Sequence, residues 1–575
     1  IADSQRIIFH HEKPLVMGTL NMSPDSFSDG GTYMMSVERA FERAAQMIDE
    51  GADIIDIGGE STRPGSRRID RETELARMLP VVAMGAGYEL PQRGIKEMGI
   101  AFGGSAALLE DASAVANNPA GLMRLQGRQV VGGLKVIRSG FDYDVTVHRE
   151  LIPGVDGPVP GRDSGSISAV SVAPHVYYSQ RLADNAAIGF GIYAPFGTTT
   201  SYPKEWAGRY HATDTDITAV NFNPVFAWQA TDTVSVGLGV VIQRFEGDFR
   251  NSIDLGYLVA DQVIQEIENN SLASLRDTPQ QVVDRLAHNF DVDNTMTVDS
   301  WGYGFNFGLL WEPSDRTRIG FNYASAVRQV ADGNADRPQT LDPDFQQRLE
   351  DAIGATRIWG AGFIPSTIGA LQPASASEGA ERAVGPLGAQ GGKIQLITTF
   401  PEVATLSGYH QLFDTLAITG GVTWTNWSRV DELRFTYPDT SARGGSDITG
   451  SGDDVRRRDL VVPFDWEDTL RYGVGAIYTG IERWALRAGV SYDESPIPNA
   501  ERRTPRGPDS DRLILGLGAG WQWRDNLSID AAYTFTRLQP SDINNRENPA
   551  GSQHRIEGEY DGALHSVGVQ LNYMF

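Results

Sequence analysis

Apolar side chains recur at every second position in segment after segment of this chain. The pattern is seen in "VSVGLGVVIQ" (234–243), "YGFNFGLLW" (303–311), "LAITGGVTW" (416–424), "LRYGVGAIY" (470–478), "ALRAGVSYD" (485–493), "LILGLGAGWQW" (513–523) and "LSIDAAYTF" (527–535). In 513–523, Leu513, Leu515, Leu517, Ala519, Trp521 and Trp523 share one face, and Gly516, Gly518, Gly520 and Gln522 take the other. A period of two is that of a strand, whose successive side chains point to opposite sides. Any one of these strands fits half of a soluble β-sandwich equally well. Taken together, with aromatics at the strand ends and glycine or polar residues opposite the apolar face, they predict an antiparallel sheet closed in lipid. Closure pairs every backbone group where no water is present to do so.

Composition agrees. Hydrophobic residues make up 41% of the 575 residues and mean hydropathy is −0.28. No run approaches the roughly 18 apolar residues a membrane helix needs. Helical spans are thereby excluded, but a barrel is not, because its strands alternate. Cysteine is absent, which removes disulfides and thiolate chemistry, and a net charge of −25 argues against nucleic acid as a partner.

Residues 1–83 have a different character. "PLVMGTL" (14–20) and "DIIDIGG" (53–59) are continuous apolar runs suited to strands buried on both faces. Helical patterns follow each, at 36–52 with Val37, Phe41, Ala44 and Ile48 on one face, and at 70–83 with Asp70 as N-cap. "LNMSPDSFSDGG" and "GADIIDIGGESTRPG" resemble the first two strand-loop segments of dihydropteroate synthase, a (β/α)8 barrel that joins p-aminobenzoate to a pterin pyrophosphate in folate biosynthesis. The resemblance implies that Asn21 helps bind Mg²⁺ and pyrophosphate, that a loop including Ser26 and Phe27 closes over p-aminobenzoate, and that Thr62, Arg63 and Pro64 line a second loop. It ends near residue 83, whereas such a barrel takes about 250 residues. Without the later strands the segment is expected to be an inactive βαβα remnant, and Mg²⁺ would be required only by a complete synthase.

From residue 85 on, the chain resembles the outer-membrane long-chain fatty acid transporter family (FadL-type). The resemblance rests on "GAGYELPQRGIKEMGIAFGGSAALLEDASAVANNPAGLMRL" (85–125), "WGYGFNFGLLWEPSDRTRIGFNY", "GVTWTNWSRV", "WALRAGVSYDESPIP", "RTPRGPDSDR" and the closing "EGEYDGALHSVGVQLNYMF". It implies a transmembrane antiparallel barrel of about fourteen strands over 126–575, plugged by a hatch at 84–125 that carries the Asn118, Pro119, Ala120 motif. It also implies passive uptake of fatty acids or other hydrophobic compounds, often through a lateral gap in the wall, without a cofactor. The partners implied are lipid, lipopolysaccharide and the barrel-assembly machinery, which would read the terminal strand with Tyr573 and Phe575; the barrel would work as a monomer in the outer membrane of a Gram-negative bacterium.

In this family a ligand carboxylate meets basic residues. Arg250 falls near one such position, while Val462 stands where a second is expected, which leaves room for an uncharged hydrocarbon. The segment 258–288 has helical stretches, and 331–392, rich in Gly, Ala and Pro, reads as loop. No secretory signal is legible, so the joint near residue 83 is expected to be recombined, whether by natural fusion, artificial joining or misassembly of the sequence. The competing expectations are an enzyme, from the synthase-like segment, and a soluble scaffold built on a β-sandwich.

Overall fold

The computed structural model describes residues 17–21, 54–58, 87–91, 93–149, 155, 157–269, 274–275, 278–338, 342–354, 358–359, 391–436, 460–546 and 554–575. The chain divides into two compact units. In the first, β1 (Met17–Asn21) and β2 (Ile54–Gly58) pair in parallel, from Met17 beside Ile54 to Asn21 beside Gly58. Two largely apolar strands in parallel are what a sheet covered on both faces requires. The helices expected at 36–52 and 70–83, and Ser26, Phe27, Thr62, Arg63 and Pro64, lie outside the described residues.

The second unit is a closed antiparallel barrel of fourteen strands, several of them interrupted. In order they are β3 (Arg128–Arg149), β4 (Ser164–Ala183), β5 (Ala186–Ser201), β6 (Asp214–Thr231), β7 (Val234–Asp254), β8 (Asp291–Ser314) and β9 (Thr317–Ala324 continuing as Val327–Asp336). They are followed by β10 (Gly391–Phe400, then Val403–Phe413), β11 (Leu416–Thr425, then Glu432–Thr436), β12 (Leu460–Pro463, then Thr469–Ile481), β13 (Trp484–Asp493), β14 (Arg512–Arg524), β15 (Leu527–Leu538, then Ser541–Asn545) and β16 (His554–Met574). The last strand closes on the first, from His554 beside Arg149 to Met574 beside Gln129. Among the described residues no helix is long and apolar enough to cross a membrane.

The alternation resolves into an outside and an inside. Leu513, Leu515, Leu517 and Trp521 are exposed on the outer wall, and so are Val567, Val569, Leu571 and Tyr573 of β16. Trp301, Tyr303 and Phe305 mark one edge of the apolar band on β8 and Trp311 the other. Six two-residue turns join strands at one end, as at Ala183–Ala186 and Ser314–Thr317, whereas the opposite end carries the long connections, the pattern of a short-looped periplasmic and a long-looped extracellular side. Phe575 lies at the short-turn end, its N–H bonded to the Arg128 carbonyl at 3.0 Å and its ring edge-on to Tyr573.

The lumen is filled by a hatch of three short helices, α1 (Ile95–Gly99), α2 (Ser105–Leu108) and α3 (Ala114–Asn117), and a 3-10 turn at Pro119–Arg124. The inward glycines give it room. A Cβ on Gly320 would lie 1.8 Å from the Ala106 carbonyl, one on Gly308 2.1 Å from the Asn118 side chain, and one on Gly489 2.2 Å from the Ile100 carbonyl. The small inner face is therefore largely the seat of the hatch.

The extracellular side carries α4 (Leu255–Asn269), which starts three residues before the segment expected to be helical, and α5 (Pro279–Leu286) within it; Thr278 and Gln281 form a capping box that starts α5. The stretch expected as loop from 331 differs: β9 continues to Asp336 and α6 spans Pro343–Gly354. Ala331, Gly333 and Ala335 keep the strand period with side chains too small to register as apolar, and Phe345 and Leu349 give α6 its one buried edge.

Candidate ligand site at the hatch

The Asn118, Pro119, Ala120 motif is a wedge. Asn118 Oδ1 accepts the Ala120 N–H at 3.1 Å and caps the 3-10 turn, which suits proline at its first position. Its Nδ2 donates to the Ala106 carbonyl at 2.9 Å and to the Leu309 carbonyl of β8 at 3.0 Å. One amide thus ties the turn to itself, to α2 and to the wall.

Buried charges fix the rest. Lys96 lies 3.3 Å from Asp111, 3.8 Å from Glu110 and 3.9 Å from Asp530 of β15. Arg487 of β13 reaches Glu110 at 2.8 Å and Asp530 at 3.0 Å. Burial alone would lower the Lys96 pKa, but the three carboxylates outweigh it and hold the ammonium above its usual value. Beside them Glu97 is pushed up to about 8, first by burial and then by the neighbouring Asp111. Nothing in the sequence singled out these residues, because hatch and wall partners are separated by several hundred positions.

At the start of the hatch, Tyr88 plugs an aromatic cluster. Its ring lies 4.9 Å from that of Trp427, 5.5 Å from Trp466, 5.7 Å from Phe400 and 6.2 Å from Phe196, centre to centre. Each of these four residues stands at an interruption of a strand: Phe196 at the bulge of β5, Phe400 at the break in β10, Trp427 and Trp466 in the breaks of β11 and β12. The indole N–H groups of Trp427 and Trp466 are buried without a hydrogen-bond partner. Val462 is a buried member of the same apolar cluster.

The wall itself yields beside Tyr88. β4 and β5 are in register from Val176 beside Ile192 to Arg181 beside Ala187. Between Tyr193 and Phe196, β5 carries an extra residue relative to β6, at Ala194-Pro195. Past this bulge its edge pairs with the hatch: Leu90 N–H donates to the Pro195 carbonyl, and Gly197 N–H to the Tyr88 carbonyl, both at 2.7 Å. Proline has no N–H to offer a neighbouring strand, which suits a place where strand pairing ends. Arg471 of β12 secures the same stretch, 3.4 Å from Glu89 and 3.7 Å from Asp493.

Arg250 stands on β7 with its guanidinium half-exposed and paired to Asp248 at 3.2 Å, and the register sets it opposite Asp214. Asn21 ends β1, where nothing further is described of its surroundings. Trp427 and Trp466 are the candidate site residues that the sequence pattern passes over. Their signal was an indole just past a run of alternation, in "WTNWSRV" and "PFDWED".

Residues 77–575 match the family model described as outer membrane protein transport protein (OMPP1/FadL/TodX). The chain belongs to this family. Outer membrane protein P1 of Haemophilus influenzae is 26% identical over 86% of this chain and 96% of its own length, and the long-chain fatty acid transport protein of Escherichia coli O6:H1 is 26% identical over 87% and 96%. Among solved structures, a Pseudomonas aeruginosa FadL homologue superposes with a TM-score of 0.66 at 24% identity, covering 85% of this chain and all of that one. The Pseudomonas putida toluene transporter TodX superposes with a TM-score of 0.52 at 15% identity, over 84% and 98%. These likenesses bear out the barrel and the FadL-type family of outer-membrane transporters of hydrophobic compounds. Residues 17–91 match a second model, pterin binding enzyme, in keeping with a fusion.

Proposed function

We propose that the barrel takes up hydrophobic small molecules passively across the outer membrane, binding them in the aromatic cluster around Tyr88 and releasing them beside the β5 bulge. The observation that carries this is the double role of Tyr88, whose ring fills the cluster while its carbonyl is bonded to the interrupted wall strand. A ligand that displaced the ring would also strain the backbone pairing that covers the bulge, so binding and opening would be one event. No cofactor or energy source enters such a path, because partition into an apolar pocket drives uptake.

Relatives are named for long-chain fatty acids and for toluene. The apolar Val462 within the cluster and the outlying, paired Arg250 favour an uncharged or weakly polar hydrocarbon over a carboxylate, since a buried anion needs a compensating partner. Uptake of a radiolabelled monoaromatic hydrocarbon and of a labelled fatty acid into cells expressing the barrel tests the reading. Faster hydrocarbon uptake is the expected result; rates equal to barrel-free cells for both would defeat the proposal.

The pterin-enzyme match over residues 17–91 motivates a second reading, p-aminobenzoate condensation with Mg²⁺ at Asn21. With two strands of that fold among the described residues, the chain is expected not to rescue a synthase-deficient strain.

A further inference from the structure

Outside the hatch, a second set of chemically capable side chains gathers at the extracellular rim. Asp254 ends β7, His288 follows α5, Asp291 begins β8 and His554 begins β16. One ligand atom from each of Asp254, His288 and Asp291 lies within 4.8 Å of the others. We propose that Asp254, His288, Asp291 and His554 form a binding site for a borderline divalent transition metal of the zinc class, which staples the helical extracellular segment to the barrel rim.

The donor set is held as a metal site requires. Asp254 Oδ1 is occupied by the backbone N–H groups of Tyr257 and His288, both at 3.0 Å, and this turns Oδ2 toward the cluster. Oδ2 lies 2.7 Å from His288 Nδ1 and 3.6 Å from His554 Nε2. Ligands about 2.0–2.1 Å from a tetrahedral zinc ion sit about 3.3–3.4 Å apart, so the first contact opens slightly and the second closes slightly. His554 supplies the independent sign. It is 1% exposed, yet neither ring nitrogen has a hydrogen-bond partner, and its ring is clamped against Tyr257, 5.2 Å away and nearly parallel. A buried imidazole with no hydrogen bond and only a 3.6 Å approach to Asp254 costs stability unless something else engages it.

Neighbouring groups permit the change. Tyr210 Oη lies 2.7 Å from both His288 Nδ1 and Asp291 Oδ1, filling the space between them with a hydroxyl that a cation would displace or use. Arg209 holds Asp291 Oδ2 at 2.7 Å, so Asp291 offers Oδ1. Arg149 donates to His288 Nε2 at 2.9 Å and would have to release it, because a histidine ligating through Nδ1 carries its proton on Nε2. Arg149 has Asp284 at 3.6 Å as another acceptor. Two imidazoles with carboxylates select zinc, cobalt or nickel over calcium or magnesium, which prefer all-oxygen shells.

The full chain in detergent, stripped with chelator, is to be titrated with Co²⁺ by visible absorption and with Zn²⁺ by calorimetry. One equivalent of each is expected, with the Co²⁺ bands of a mixed nitrogen and oxygen shell. His554→Gln and His288→Ala should each weaken binding by about 10-fold or more, whereas His410→Ala, on an exposed β10 histidine, should not. Heat-dependent gel mobility verifies that each barrel has closed; should His288→Ala fail to close, His554→Gln decides alone. Absence of stoichiometric binding, or equal affinity in His554→Gln, overturns the assignment.

Discussion

Arg471 on the wall and Glu89 on the hatch form a buried ion pair at 3.4 Å, one residue from the tyrosine that fills the aromatic cluster. Removing one member of a buried pair costs more than the pair contributes, about 3–5 kcal/mol, because the other charge is left uncompensated. Arg471→Met leaves Glu89 only Arg93 at 3.8 Å and Asp493 only Arg512 at 4.0 Å, and the nearest element able to yield is the start of the hatch. The variant is expected to admit a bulky hydrophobic dye faster than the parent while keeping its heat-dependent gel mobility. Glu89→Gln should be milder, since Arg471 retains Asp493 at 3.7 Å. Unchanged dye uptake in Arg471→Met would show that this pair does not hold the hatch.

A hatch-facing and a lipid-facing glycine separate two explanations for the glycines of the wall, strand flexibility and hatch seating. A Cβ at Gly320 would meet the Ala106 carbonyl at 1.8 Å, whereas at Gly408, on the outward row of β10 with exposed Leu406, it would meet nothing within 4 Å. Gly320→Ala should therefore lower the denaturant midpoint by the equivalent of about 1–3 kcal/mol, as overpacking does. Gly408→Ala should stay within about 0.5 kcal/mol. Equal effects at the two sites would sink the seating argument.

This contrast also marks what could be read from the sequence. Leu513, Leu515 and Leu517 announced a lipid-facing wall because exposure of such residues at period two has few other uses, and the glycines opposite marked only a small inner face. What approached them was not legible, since Gly516 meets Met98 and Ala101 across more than 400 positions. The proposed ligand site was equally hidden. Phe196, Phe400, Trp427 and Trp466 lie where alternation fails, and a pattern-based reading is blind at its own interruptions. Arg250, singled out by resemblance, keeps the regular period and stands apart with Asp248.

Tyr88 offers a direct check on the cluster. Trimming a buried aromatic to alanine forfeits about 3–5 kcal/mol of packing, here at a place where the neighbouring strand pairing depends on the same residue. Tyr88→Ala is expected to raise the initial rate of hydrocarbon uptake and to shift the indole emission of Trp427 and Trp466 to the red as water or ligand enters. Tyr88→Phe should leave both readings near the parent's, because the ring is retained. An unaltered emission spectrum in Tyr88→Ala would argue that the cavity collapses and that the ring is packing alone.

Glu97 makes hatch seating pH-dependent, and the sign follows from its burial. Lys96 and Arg487 face it as cations and Asp111 as an anion, and burial with Asp111 raises its pKa to about 8. A carboxyl raised above its ordinary value favours the native state while neutral, so the seated hatch is most stable at acidic pH and loses that stability as pH climbs from about 4.5 through about 8. Every tenfold difference in proton affinity between the folded and unfolded chain corresponds to about 1.4 kcal/mol. Glu97→Gln keeps the shape and removes the charge; it should flatten the decline between about pH 5 and 8 and exceed the parent's stability at the upper end, both read from denaturant midpoints across that range. A slope that survives the substitution would assign the pH dependence to another group and leave Glu97 ionised among its cations.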